Sequence, residues 1–423
     1  MIILSGRDAD FTKRDVIKSD VSSVVAAILE DVRKNGDAAA FRYTEKFDGI
    51  KLDSFRVTED EIAGAVARTD AALIDIFKKA AENIRAFHAK QVRNGFIMTE
   101  KPGVVMGQRV TPIASVGLYA PGGTAAYPSS VIMGATPAKI AGVERVVLFT
   151  PPSSDGKVSD VILAAANVCG INEIYKIGGA QGVAAMAFGT ESVRRVDKIV
   201  GPGNVYVAEA KRLVYGIVDI DMIAGPSDVM IVADESANPD WIAADLLAQA
   251  EHDANASAIL VTTSREIAQK TDERVKARLS GLARADIAEK SIEKNGRIFV
   301  VENLDEAFEI VNSAAPEHLE LCLTDPFAWL PAARNAGSVF LGHYTPEALG
   351  DYLAGPNHTL PTGGTARFAS PLSVDDFVKK SSYLYYSKDA LELDLALARK
   401  FAQSEGLGAH ADSLAARLDE WRR

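Results

Sequence analysis

The chain has 423 residues, 48% of them apolar, 24% charged and 7% aromatic, a composition that can bury a core in two or three lobes and that excludes a disordered or low-complexity chain. Its formal net charge of −11 argues against partnership with nucleic acid or an anionic membrane surface, but leaves room for a small anionic ligand gripped by backbone amides. Two cysteines, Cys169 and Cys322, make no disulfide framework and fit a reducing, cytoplasmic setting, each reading as a small buried hydrophobe.

The opening MIILSGRDADFTKRD has an apolar run of only four residues before charges arrive, too short for the core of a signal peptide. No later stretch approaches the ~18 apolar residues of a membrane span. From about residue 20 to 100 the pattern is helical. VSSVVAAILEDVRKNGDAAAFRYTEKF spaces its apolar residues at helical intervals, with Gly36 placed to end a first helix, and TEDEIAGAVARTDAALIDIFKKAAENIRAFHAKQ supplies two more amphipathic segments.

From Val110 onward, short apolar runs alternate with glycine-rich loops and alanine-rich helices. ASVGLYAPGG, RVVLFTPP, EIYKIGGAQG, KIVGPGN, DVMIVADES, SAILVTTS, GRIFVVEN and GSVFLGH read as buried strands, which predicts an α/β protein with mainly parallel sheets. Composition breaks fall near Gly117, near Ala224-Gly225-Pro226-Ser227 and after Tyr386, where KDALELDLALARKFAQSEGLGAHADSLAARLDEWRR turns into a charged, wholly helical tail. A helical pair that short owns little core, so the tail reads as an arm.

Three glycine-rich loops, GLYAPGGT from Gly117, GGAQG from Gly178 and GPGN from Gly201, each end a predicted strand, and the last two lead into helices. Glycine lets backbone approach a phosphate, and a helix N-terminus offers free N–H groups, so together they suit a nucleotide. Any one of them also serves as a tight strand-to-helix turn. None matches G-x-G-x-x-G followed ~20 residues later by an acid, so a standard Rossmann domain is not supported.

The stretch AQAEHDANA places Gln249, Glu251, His252 and Asp253 in apolar surroundings. On a helix Gln249 and His252 share a face, as a mutually satisfied polar pair or as part of a metal site. His252, His410, Asp351 and the weaker oxygen donor Gln249 would make a zinc set, although no compact motif links them. Glu317 and His318 in AAPEHLEL could act as acid and base, provided that a turn at Pro316 redirects two neighbours that otherwise point opposite ways. His88 and His343 carry no assigned role.

Taken in order, GLYAPGG, GGAQG, VGPGNVYVAEAKR, AGPSD, LLAQAEHD, PEHLEL, GDYLAGPNHTLPT and EGLGAH span essentially the whole chain, and in this combination the sequence resembles the histidinol dehydrogenase family. The resemblance implies two α/β lobes with incomplete Rossmann-like, mainly parallel sheets, an aldehyde-dehydrogenase-like superfold, and a helical C-terminal arm. With the composition breaks it implies a zinc and substrate lobe from residues 1–117 and 227–371, an NAD lobe from 118–226 and an arm from 372–423. It also implies a homodimer in which the arm reaches the partner's site.

Residue by residue, the resemblance implies zinc bound by Gln249, His252, Asp351 and His410, with Glu317 and His318 as the catalytic pair. Tyr119, Gln181 and Asn204 match NAD contacts. Ser227 and Glu405 match substrate contacts, beside His318 and the zinc ligands. His358 matches the family motif as a residue close to the substrate. The implied activity is oxidation of L-histidinol through L-histidinal to L-histidine with two NAD, the last steps of histidine biosynthesis.

Two other chemistries fit parts of the sequence. A paralogue on the same scaffold could oxidise another small diol such as sulfopropanediol, although Glu405 favours a substrate bearing imidazole. A thiohemiacetal route could use Cys322, four residues after His318, but in LELCL that cysteine alternates as a strand residue and reads as core.

Overall fold

The computed structural model describes residues 1–9, 11, 21–122 and 126–419. The chain folds as two compact units: Met1–Gln91 with Ile113–Phe377, and Val92–Pro112 with Val378–Arg423. No helix among the described residues is long and apolar enough to cross a membrane.

The larger unit holds two parallel sheets. One has five strands in the order Glu173–Lys176, Arg145–Thr150, Ser115–Tyr119, Lys198–Val200, Asp219–Ile220. The other has six, in the order Ile2–Ser5, Arg297–Val300, Ser257–Thr262, Asp228–Ala233, His318–Cys322, Ser338–Leu341. All eight strands expected from the apolar runs are present, because these strands are covered on both faces. In Arg145–Thr150, Val146 and Leu148 enter one core cluster, while Val147 and Phe149 enter another. In Asp228–Ala233, Val229 and Ile231 pack on one side, Met230 and Val232 on the other. Burial on both sides turns the usual alternation of polar and apolar residues into a continuous apolar run.

The helical reading of the N-terminal region also holds. Helix Ser22–Asp48 is broken at Gly36 (φ 51°, ψ −134°), a backbone conformation that side chains disfavour. Thr58 and Glu61 form a reciprocal capping box on Glu59–Arg68, and Ala71–His88 follows, its N-cap Asp70 accepting the Ala72 N–H. His88 is wholly buried and its Nδ1 meets the Ile84 carbonyl at 2.8 Å, a packing role.

The third glycine loop is held by contacts that admit no other residue at Gly201. Gly201 has φ 121°, and an added Cβ would lie 2.1 Å from the Tyr119 carbonyl oxygen. Asp221 Oδ2 accepts the Gly201 N–H at 2.8 Å, while Lys211 Nζ donates to the Gly201 carbonyl at 2.8 Å and pairs with Asp221. Both charged side chains are buried, so removing either would strand the other, at a cost of about 3–5 kcal/mol.

The smaller unit is a three-stranded antiparallel sheet, Val378–Tyr386, Val104–Pro112 and Phe96–Met98 in that order, followed by helices Lys388–Ser404 and Gly408–Asp419. The tail is helical from Lys388 as expected. The sheet ahead of it was not expected: VKKSSYLYY is largely exposed and VVMGQRVTP mostly half-buried, so neither shows the apolar run that marks a strand buried on both faces.

Candidate active site

The site forms where two neighbouring parallel strands begin. Register pairs His318 with Val229, which sets Glu317 and His318 against Asp228. Ala315 is the one non-glycine residue with positive φ among the described residues (φ 49°); it ends helix Leu304–Ala314 and, with Pro316, turns the chain into the strand. The Asp228 backbone then holds both residues. Its N–H donates to Glu317 Oε2 at 3.0 Å, and its carbonyl faces His318 Nδ1 at 3.2 Å. The Glu317 N–H returns a bond to Asp228 Oδ1 at 3.0 Å, and Ser227 bonds the Glu317 carboxylate through its side chain. Glu317 Oε2 thereby comes within 3.9 Å of His318 Nδ1, so the turn at Pro316 does bring the neighbours together.

The bond to the Asp228 carbonyl assigns the proton of neutral His318 to Nδ1. Nε2 is then an acceptor, and it is buried without a partner. Burial drives the imidazole pKa down to about 3, keeping it neutral. Three carboxylates stand around it: Glu317, Glu347 Oε1 at 3.7 Å from Nδ1 and Asp351 Oδ1 at 4.0 Å from Nε2. Burial first, then the charge of Asp228 on Glu317 and of Asp351 on Glu347, hold these two well above the ordinary carboxylate range, and burial lifts Asp351 to about 6. A cation would relieve that repulsion.

The donors for one are in place. His252, Glu347 and Asp351 each offer a ligand atom, all within 4.8 Å of one another. Gln249 is buried in the last turn of helix Pro239–Ala250, next to Glu347. The hydrogen-bond network assigns its amide nitrogen to Glu347, donating to the two carboxylate oxygens at 2.7 and 3.1 Å. A carboxylate only accepts, so this contact turns the Gln249 carbonyl oxygen away from it and frees it for a metal. The helix stops at Ala250 with Glu251 as its cap, and His252 follows on a turn, its N–H bonded to the Gln249 backbone carbonyl at 3.2 Å. The expected shared helix face is thus replaced by a turn that still keeps the two residues adjacent.

Glu347 is the residue the sequence reading missed. It follows Pro346 in PEALGD, with no pattern to mark it, and is positioned from behind: its N–H donates to buried Glu320 Oε1 at 2.8 Å. Glu347→Gln should lower affinity for a divalent metal about 10- to 100-fold, since an amide no longer dictates which end of Gln249 faces the metal. Titration against a chelating indicator checks this, and wild-type affinity in the variant would mean that Gln249 orients without Glu347.

Beside this cluster lies a cavity of about 130 Å³ lined in part by His318, Phe340, Asp351, Asn357 and His358. His358 bonds the Asp351 backbone. Cys322 lies on the same strand as His318 but four residues on, about 13 Å away along it, and burial pushes its thiol pKa up, against a thiolate nucleophile. Glu405 and His410 lie in the smaller unit, at the end of helix Lys388–Ser404 and in Gly408–Asp419, and both are exposed.

The three glycine-loop residues sit in the five-stranded sheet's half. The Tyr119 hydroxyl accepts the Gly179 N–H at 3.1 Å, tying the first loop to the second. Gln181, in the first turn of helix Gly179–Phe188, is almost fully buried and its Oε1 has no partner. Asn204 caps helix Val205–Val214, its Oδ1 accepting the Tyr206 and Val207 N–H groups, each at 3.1 Å.

Parallel sheets that deliver a buried histidine and carboxylates to one strand end define an α/β enzyme. The family model described as histidinol dehydrogenase matches residues 12–418. Similar proteins include the histidinol dehydrogenases of Clostridium acetobutylicum, 53% identical over 95% of this chain and 93% of the relative, and of Geobacillus kaustophilus, 54% identical over 94% and 93%. The crystal structure of histidinol dehydrogenase from Elizabethkingia anophelis is 38% identical, with a TM-score of 0.94 over 100% of this chain and 99% of that one. The chain belongs to the histidinol dehydrogenase family, and it is an oxidoreductase. The diol-dehydrogenase alternative is not favoured.

Proposed function

We propose that the protein oxidises L-histidinol through L-histidinal to L-histidine, using two NAD and one zinc ion per site. The observation that carries this reading is the Glu317–His318 pair clamped on Asp228, with its free Nε2 and the His252, Asp351 and Gln249 donors beside it. Nitrogen and oxygen donors of this kind suit zinc, which when bound orients the substrate's amino and imidazole nitrogens. Unpartnered Gln181 Oε1 at a helix N-terminus, beside the Tyr119–Gly179 bond, supports a nucleotide lobe over residues 118–226. NAD, when bound there, accepts hydride.

His318 Nε2 takes the alcohol proton as the carbon loses hydride. The imidazolium so formed is stabilised by the surrounding carboxylates and by the Asp228 carbonyl on Nδ1–H. Glu317, a stronger base for its raised pKa, then draws a proton from water as it adds to the aldehyde, whose oxygen takes back the proton from His318; the hydrated carbon loses a second hydride as neutral Nε2 again accepts the hydroxyl proton. Ser227 steadies the Glu317 carboxylate and borders the substrate, and His358 holds the Asp351 segment.

His410 and Glu405 act in the other protomer of a cytoplasmic homodimer: His410 of the partner subunit completes the zinc set, and Glu405 of the partner subunit receives the substrate imidazole. An apolar face on the tail supports this exchange. Leu393, Leu397 and Phe401, four residues apart on one helix, are 76%, 72% and 70% exposed, a row that a monomer would leave in water.

Limiting L-histidinol with excess NAD tests the whole reading. Two NADH per substrate are expected. One would end the reaction at the aldehyde and remove Glu317 from it, and none in protein shown to bind zinc and NAD would move the activity to another alcohol.

A further inference from the structure

Among the described residues of the larger unit, the half-buried carboxylate of Asp48 has one oxygen with no hydrogen-bond partner. Asp48 ends helix Ser22–Asp48, where Gly49 turns left-handed at φ 71°. Its Oδ2 is shielded from solvent and meets no hydrogen-bond donor, and burial alone lifts its pKa to about 6. One turn earlier, on the same helix face, Thr44 is wholly buried and its hydroxyl is also unpartnered. Buried polar atoms left without partners are rare in native folds, and two on one face point to a missing ligand.

Contacts around Asp48 locate it. Its charge is close enough to raise the pKa of the Tyr119 phenol, whose oxygen accepts the Gly179 N–H. Just past it, Ile50 and Leu52 pack on the loop that follows strand Arg145–Thr150: a Cβ added to Gly156 would lie 3.5 Å from Ile50 Cγ1 and 3.3 Å from Leu52 Cδ2. Pro151, at that strand's end, abuts both Gly122 and Gly178, where an added Cβ would lie 2.6 Å from its ring. The end of helix Ser22–Asp48 therefore lies near Tyr119 and near the end of the strand that neighbours Ser115–Tyr119.

In a regular dinucleotide fold that neighbouring strand carries an acid near its end, which takes the hydroxyls of the adenosine ribose. Here it runs into Thr150-Pro151-Pro152 and carries none. We propose that Asp48 supplies the missing function from a different helix: its carboxylate accepts the ribose 2′- and 3′-hydroxyls of NAD and excludes the 2′-phosphate of NADP. An acceptor-only group matches a diol, and a phosphate would press its charge on an unpaired carboxylate in a poorly solvated place. This inference rests on the assignment of the glycine-loop half to NAD.

Calorimetric titration with NAD and with NADP, without substrate, tests it. Wild-type protein should bind NAD at least about tenfold more tightly than NADP, and Asp48→Asn should weaken NAD about tenfold and bring the two within about threefold. Melting temperature keeps the variant interpretable. A carboxyl raised from 3.8 to about 6 on folding destabilises the fold above that upper value and ceases to do so below the lower one, so Asp48→Asn should melt higher than wild type at pH 8, with most of that difference gone at pH 4. A variant that keeps the wild-type preference for NAD overturns the inference, and so does one that melts lower at pH 8 with that preference intact, which would make Asp48 structural. Wild-type protein that binds neither nucleotide overturns the NAD assignment and this inference with it.

Discussion

His318→Asn should lower kcat for L-histidinol and for L-histidinal alike by about 10²- to 10⁴-fold, the usual worth of a positioned general base. Both oxidations release a hydride from a carbon bearing a hydroxyl, so both need the proton acceptor that Nε2 provides. Asparagine can still donate to the Asp228 carbonyl from the position of Nδ1, so the strand end should keep its shape while the acceptor is lost. His318 stands outside the proposed zinc ligands, and metal content measured by atomic absorption should therefore remain near the wild-type level. Zinc lost in step with activity would make His318 a ligand and withdraw the base role.

How far the sequence anticipates this arrangement depends on where the physical constraint lies. Strands such as Asp228–Ala233 are legible because cores on both faces require apolar residues at every position. The sheet Phe96–Met98, Val104–Pro112 and Val378–Tyr386 escapes notice because its first strand is only three residues long and polar residues interrupt the other two, which are not buried on both faces. Gln249 and His252 are legible as a polar pair in apolar context, but the end of their helix at Ala250 is not, since nothing in AQAEHD breaks helical spacing. Glu347 and Asp48 each look like an ordinary charge at a helix end. Only the fold shows that one is buried against Gln249 and that the other lacks a partner. Tertiary burial, which local sequence does not encode, separates these two from the many acids that face water.

Glu317→Gln separates the two oxidations. The amide oxygen of glutamine can still accept the Asp228 N–H that now reaches Glu317 Oε2 at 3.0 Å, so the clamp and His318 should stay in place. What is lost is the basic oxygen. Alcohol oxidation does not require water and should fall less than about tenfold, whereas L-histidinal oxidation, which needs a water deprotonated as it attacks, should fall about 10²- to 10⁴-fold. With limiting L-histidinol the variant should then stop near one NADH per substrate and accumulate aldehyde, detectable by trapping with a hydrazine. Equal losses in both steps would mean that Glu317 serves the geometry common to the two hydride transfers, and would shift the activation of water to another of the buried carboxylates around His318, Glu347 being the nearest at 3.7 Å.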